Sequence, residues 1–166
     1  TVVTPVHDPA TGSRVFLTAS RAHHAEVGGI TPGSMPPFSR NLAEEGVLLR
    51  GFKLVEGGES RFDELRRRLS ESPYPSRAIE DNLTDVAAQV AANRQGQRDL
   101  ERLVERYGLD QVVAYMGHIQ KAAETKTRRA LAQLPAGRRE FRDHLDDGTP
   151  ICVAVEVHGD SVRIDF

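Results

Sequence analysis

The stretch Arg21-Ala-His-His-Ala-Glu-Val-Gly-Gly29 sets two adjacent imidazoles, a carboxylate and a glycine pair close together. Neutral imidazole and carboxylate suit Zn, Mn or Fe, and the same groups serve as acid or base near neutral pH. The continuation, Ile30-Thr-Pro-Gly-Ser-Met-Pro-Pro37, crowds glycine and proline behind them, so the stretch is a loop and not a regular helix. Adjacent histidines outside a regular element point in different directions, so one of His23 and His24 suffices as a ligand. Gly28, Gly29 and Gly33 admit two readings. They let the backbone approach an anionic or carbonyl-bearing ligand through bare N–H groups, or they only turn the chain. By itself the His-His-x-Glu spacing is a weak metal signal.

The elements that must hold this loop follow from periodicity. Val2 to Val6 and Arg14 to Ala19 flank His7-Asp-Pro-Ala-Thr-Gly-Ser13, which predicts a β-hairpin delivering the chain to His23. Gly46 to Val55 reads as one or two strands broken at Gly51 and ended by Gly57-Gly58. A helix is expected from Ser60 as N-cap, with Asp63 and Glu64 in its first turn, stopped by Ser72-Pro-Tyr-Pro-Ser76. A second helix runs from about Asn82 to Tyr107, closed by Gly108, and a third from near Asp110 to about Leu134. The short link at Gly108 predicts an antiparallel helical hairpin whose stripe of Val112, Met116, Ile119, Ala123, Ala130 and Leu134 is core. Arg139 to Leu145, Ile151 to Val157 and Ser161 to Phe166 read as strands, with His158-Gly-Asp160 as a turn. The fold class is therefore α+β: β-rich over 1–58 with the site loop at 21–37, helical over 60–134, and β again over 138–166.

The second helix contains a conflict. Its core stripe of Val86, Val90, Asn93, Gln97, Leu100, Val104 and Tyr107 has two amides in the middle, and Asp85, Gln89, Asn93 and Gln97 form an i, i+4 polar ridge beside it. Buried and unpaired, each amide costs roughly 1–3 kcal/mol, so the ridge faces partners, water or a ligand. A solvated face is the plain alternative. In the third helix His118 lies one turn from Tyr115, a spacing that suits a structural hydrogen bond.

Composition bounds the function. With 166 residues, 39% hydrophobic and 28% charged, the chain suits one domain with a modest core. A net charge of −2 with interspersed signs gives no basic footprint for nucleic acid. No apolar run approaches the roughly 20 residues of a membrane span, and no secretory signal precedes the first strand; a cytoplasmic location is expected. The lone Cys152, in Ile151-Cys-Val-Ala-Val155, reads as a small apolar strand residue and not a nucleophile. The chain starts at Thr1 without Met and both termini run in strand-like sequence, which reads as a fragment of a larger domain.

Several motifs together resemble the hydantoinase B/5-oxoprolinase family. They are the His23 loop, Gly46-Val-Leu-Leu-Arg-Gly-Phe-Lys-Leu-Val-Glu-Gly-Gly58, Asp81-Asn-Leu-Thr-Asp-Val-Ala-Ala-Gln-Val-Ala-Ala-Asn93, Tyr107-Gly-Leu-Asp110, Tyr115-Met-Gly-His-Ile-Gln120 and Asp146-Asp-Gly-Thr-Pro150. The likeness covers nearly the whole chain, and Tyr115 to Gln120 resembles the 5-oxoprolinase branch. It implies the B-type half of an ATP-dependent amidohydrolase that opens a lactam or cyclic imide, in the first place 5-oxo-L-proline to L-glutamate. The family's His-x-x-Asp-Gly-Gly pattern implies His23 as metal ligand, with His24 as second choice, and Glu26 as metal ligand, as a group orienting the ligand or as general base. It implies Glu26 and His24 as catalytic groups, and Asp85, Gln89 and Asn93 with Gly28 and Gly29 around the substrate. This chain has Glu26 where the family more often has Asp. The divalent metal is Zn, Mn or Fe, and the segment upstream of Thr1 is expected to add a His/Asp motif. ATP is handled by a partner A-type half or subunit, consistent with the lack of a Walker-type loop here, and assembly into an oligomer is expected. Two alternatives stand beside this: a metal-dependent ketone carboxylase of the acetone-carboxylase type, and a non-catalytic segment that braces the A-type half.

Overall fold

The computed structural model describes residues 1–33 and 36–166; Ser34 and Met35 of the expected site loop lie outside the described residues. The order is β1 (Val2–His7), β2 (Arg14–Ser20), α1 (Leu42–Glu45), β3 (Val55–Glu56), β4 (Glu59–Ser60), α2 (Phe62–Ser70), α3 (Ile79–Tyr107), α4 (Leu109–Leu131), β5 (Gly137–His144), β6 (Pro150–His158) and β7 (Ser161–Asp165). Helices and small antiparallel sheets make this an α+β chain, as its periodicity predicts. It divides into two compact units, Thr1–Arg102 and Leu103–Phe166.

In the first unit, β1 and β2 pair as the expected hairpin, Val2 opposite Ser20 and Thr4 opposite Thr18. Asp8 shapes its turn by accepting from Ala10 N–H and Thr11 Oγ1 at 3.0 and 2.8 Å. The core is Leu65 and Leu69 of α2 with Leu83 of α3, covered by Val47, Phe52, Leu54, Phe62, Ile79 and Val86.

That packing explains a departure from the expected strands over Gly46 to Val55. Val47, Phe52 and Leu54 insert into the helical core instead of pairing in a sheet, and only Val55 and Glu56 pair, with Ser60 and Glu59. Gly57 and Gly58 take φ of 60° and 87° to join this short hairpin, a turn that positive φ at both positions permits. Ser60 is thereby used in β4 and does not cap α2. Arg61 holds the cap position without a side-chain hydrogen bond, and Asp63 and Glu64 supply the acidic first turn.

In the second unit, β6 is the centre of a three-stranded sheet, with Phe141 opposite Val153 and Val155 opposite Ile164. Its elements lie within a few residues of their expected bounds. The α4 core stripe is a correction: Val112 is buried, but Met116 and Ile119 are 36% and 67% exposed. The second unit closes no apolar cover over them among the described residues. Cys152 lies in β6 as expected but is exposed, with Arg142 Nε donating to its Sγ at 3.2 Å. Among the described residues, no helix is long and apolar enough to cross a membrane.

Candidate functional site

Three buried carboxamides on α3 reach back to three backbone carbonyls of the first unit. Asn93 Nδ2 donates to Val2 O at 3.0 Å and to Thr4 Oγ1 at 3.1 Å. Gln89 Nε2 donates to Ser20 O at 3.0 Å, and Ser20 Oγ returns a bond to Gln89 O at 3.1 Å. Asn82 Nδ2 donates to Glu26 O at 2.9 Å and to Ser76 Oγ at the same distance. Of the polar ridge predicted on this helix, Gln89 and Asn93 are buried and paired, their donors holding backbone, whereas Asp85 is exposed and Gln97 is half-buried and donates to Glu101 one turn on. Gly96 completes the seam: a Cβ there would stand 3.3 Å from Thr18 Cγ2, while Thr18 Oγ1 donates to Asn93 O at 3.2 Å.

Two of these posts frame the histidine loop. Ser20 is held by Gln89 and Glu26 by Asn82, so Arg21 to Ala25 spans a short gap between fixed points. His23 is exposed within it. His24 turns toward α3, its Nδ1 3.3 Å from Asp85 Oδ2 and shut off from solvent, without an aligned hydrogen-bond partner among the described residues. Asp85 itself is half exposed. His24 also lines a cavity of about 710 Å³. Gln89, Val86 and Val90 of α3 form one side of it, and Phe52 and Leu54 are among the residues closing it. The structure therefore brings His24, Asp85 and Gln89 together.

Glu26 is placed differently. Its carboxylate is buried at the start of α3, where Oε1 accepts from Ser76 Oγ at 2.6 Å, Arg77 N–H at 2.9 Å and Ala78 N–H at 3.0 Å. Oε2 accepts from Gly28 N–H at 2.6 Å and lies 3.5 Å from Arg77 Nη1. Burial pushes its carboxyl up, but the bonds from Ser76, Gly28, Ala78 and Arg77 outweigh that and hold it below the usual carboxylate value. The helix dipole acts in the same direction. Both oxygens are committed to protein donors. Ser76, Arg77 and Asn82 were not among the predicted site residues; a cap delivered from fifty residues upstream leaves no local signal at Ser76.

Gly28 and Gly29 serve the same junction. At φ of 88° and 89°, a Cβ would come 2.3 Å from Tyr74 O and 2.7 Å from Glu44 O, so tight packing explains the pair. Their outward faces meet backbone carbonyls. In the second unit Tyr115 and His118 meet edge to face, ring centroids 5.9 Å apart.

A divalent metal needs about three protein ligands in a catalytic site. Among the described residues no group of three His, Cys, Asp or Glu side chains is arranged to hold one. His24 and Asp85 supply a pair, and Glu26 has no free oxygen, so these residues alone do not fit a complete metal centre.

With this geometry in place, the comparisons decide the family. The model of the hydantoinase B/oxoprolinase family matches residues 1–166. The chain belongs to that family. It is 42% identical over 91% of its length to a 5-oxoprolinase of Dictyostelium discoideum, and 40% identical over its whole length to 5-oxoprolinase 1 of Arabidopsis thaliana. It spans 12% and 15% of those two proteins. The crystal structure of an ATP-dependent caprolactamase from Pseudomonas jessenii superposes with a TM-score of 0.82 at 29% identity, covering 98% of this chain and 28% of that one.

Proposed function

We propose that this segment of the hydantoinase B/oxoprolinase family works within an ATP-dependent cyclic-amide hydrolase, and that the substrate is 5-oxo-L-proline, opened to L-glutamate. The observation that carries the reading is His24 paired with Asp85 at the wall of a largely apolar cavity, in a chain 40–42% identical over 91% or more of its length to two proteins named 5-oxoprolinases. A small lactam ring presents methylenes to such a wall and one amide edge to the imidazole.

An amide carbon is a poor electrophile. Phosphoryl transfer from ATP to the amide oxygen, assigned here to an A-type half or subunit, makes it a good one. Water then adds to that carbon, and the C–N bond breaks with the ring nitrogen leaving as an amine. A second water cleaves the acyl phosphate to carboxylate and phosphate. In this scheme His24 takes the proton of the attacking water and returns it to the leaving nitrogen, while Asp85 orients the imidazole and offsets its charge. The expected divalent metal passes to the longer chain, because two donors here are too few for a site.

The test uses a full-length chain carrying this segment, with its A-type partner where separate. ATP and 5-oxoproline should yield glutamate, ADP and phosphate, and His24→Ala should abolish turnover while leaving the fold intact by circular dichroism. Turnover of caprolactam, a hydantoin, or acetone with bicarbonate in place of 5-oxoproline would replace the proposed substrate. Undiminished activity in His24→Ala would remove that residue from the mechanism.

A further inference from the structure

The carboxylate at the head of the site loop is fixed more firmly than the imidazoles it was expected to assist. Glu26 is 6% exposed and its two oxygens take five donors, four of them within 3.0 Å. Its own carbonyl receives Asn82, and Arg77 Nη2 continues the link to Gly29 O at 2.8 Å. Two residues upstream stands His24, whose approach to Asp85 depends on where the loop is anchored, since nothing between Ser20 and Glu26 binds α3 except through those ends and His24 itself. Asp85 sits one turn beyond Asn82 on the same helix, so a single clamp sets both the height of the loop and the start of the helix that carries its partner.

We infer that Glu26 is a positioning residue: it joins the loop to the N-terminus of α3 and thereby holds His24 against Asp85, without touching substrate or metal. Its proton takes no part in the reaction. A buried carboxylate saturated with donors is a poor base, because each bond stabilises the charged form it would have to give up. It is an equally poor ligand, because a metal would have to displace Ser76 and three backbone donors.

The role rests on the reading of the His24 site given above, and its test separates the two. In a full-length chain carrying this segment, Glu26→Gln and Glu26→Asp are compared with the parent by hydrogen exchange, bound-metal content and steady-state kinetics with 5-oxoproline and ATP. The glutamine keeps the reach of the side chain, whereas the aspartate keeps the charge and falls one methylene short. Both variants should accelerate exchange at Gly28, Gly29 and residues 76–82 while exchange in β5 to β7 stays unchanged. kcat should fall by about 10–100-fold, the scale seen when a group that orients a reacting residue is removed, with KM and metal content held and the glutamine variant the more active. Loss of metal, an aspartate variant more active than the glutamine one, or a fall in kcat without faster exchange would each overturn the inference. Faster exchange with unaltered kcat would overturn it too. If the parent opens no cyclic amide, the reading of the site fails, while the exchange data still decide whether Glu26 is the clamp.

Discussion

The two units solve the same problem of amphipathic elements in opposite ways. In the first, even polar side chains are inside: Asn82, Gln89 and Asn93 are 5%, 7% and 2% exposed, and each ends on a carbonyl of the same unit. In the second, apolar side chains are outside, with Phe141, Ile164 and Phe166 at 65%, 54% and 92%. Periodicity is equally regular in both. Amphipathic spacing therefore establishes that an element has a face, and burial depends on whether the surrounding chain supplies a surface to meet it.

The comparison can be broken first at Leu65, which is 1% exposed at the centre of the first unit. Leu65→Ala should cost about 2–5 kcal/mol in urea denaturation, the range for a large buried side chain that leaves a cavity. A cost near zero would erase the distinction between the units. Asn93→Ala comes next, because it strips donors from Val2 O and Thr4 Oγ1; a loss of about 1–3 kcal/mol is expected from those unpaired groups. Hydrogen exchange should show it as opening of β1.

Acid sharpens the contrast through Glu26. Its folded value lies below the ordinary 4.5, so the stability contributed by the clamp is complete above that value and is lost as pH falls through the folded one. Denaturation followed from pH 7 to pH 3 should show Glu26→Gln weaker than the parent at neutral pH, with the gap closing on acidification. A gap that widens toward acid would contradict the assignment of the charge. The smallest effect belongs to the second unit: Ile119→Ala should change stability by less than about 0.5 kcal/mol, as surface substitutions do. A multi-kilocalorie loss would restore the buried stripe that its spacing predicts.

Much of the fold was legible because hairpins and long helices announce themselves within a few residues. Asp8-Pro and Thr11-Gly marked the first turn, and Gly108 the end of α3. What was not legible depends on distance along the chain. α3 begins at Ile79, three residues before the expected Asn82, directly after Arg77 and Ala78, whose N–H groups are received by Glu26. Val47 to Leu54 looked like strand because they are apolar, and they are apolar because α2 and α3 cover them. The site was legible as a region: the loop and the helix ridge do meet. Roles within it were less so, since the resemblance to the family's pattern implied His23 and Glu26, and geometry turns His24 toward Asp85 and Glu26 toward Ser76.

The bond from Asn93 to Val2 joins residues 91 positions apart. A ribosome adding about 5–20 residues per second makes the helix residue roughly 5–18 s after the strand residue. For that interval the β1–β2 hairpin exists without the donors that hold its carbonyls, and its edge is open to any neighbouring nascent strand. The seam that fixes the histidine loop in the finished protein thus closes only once α3 has been made, and until then the β1–β2 hairpin needs shielding.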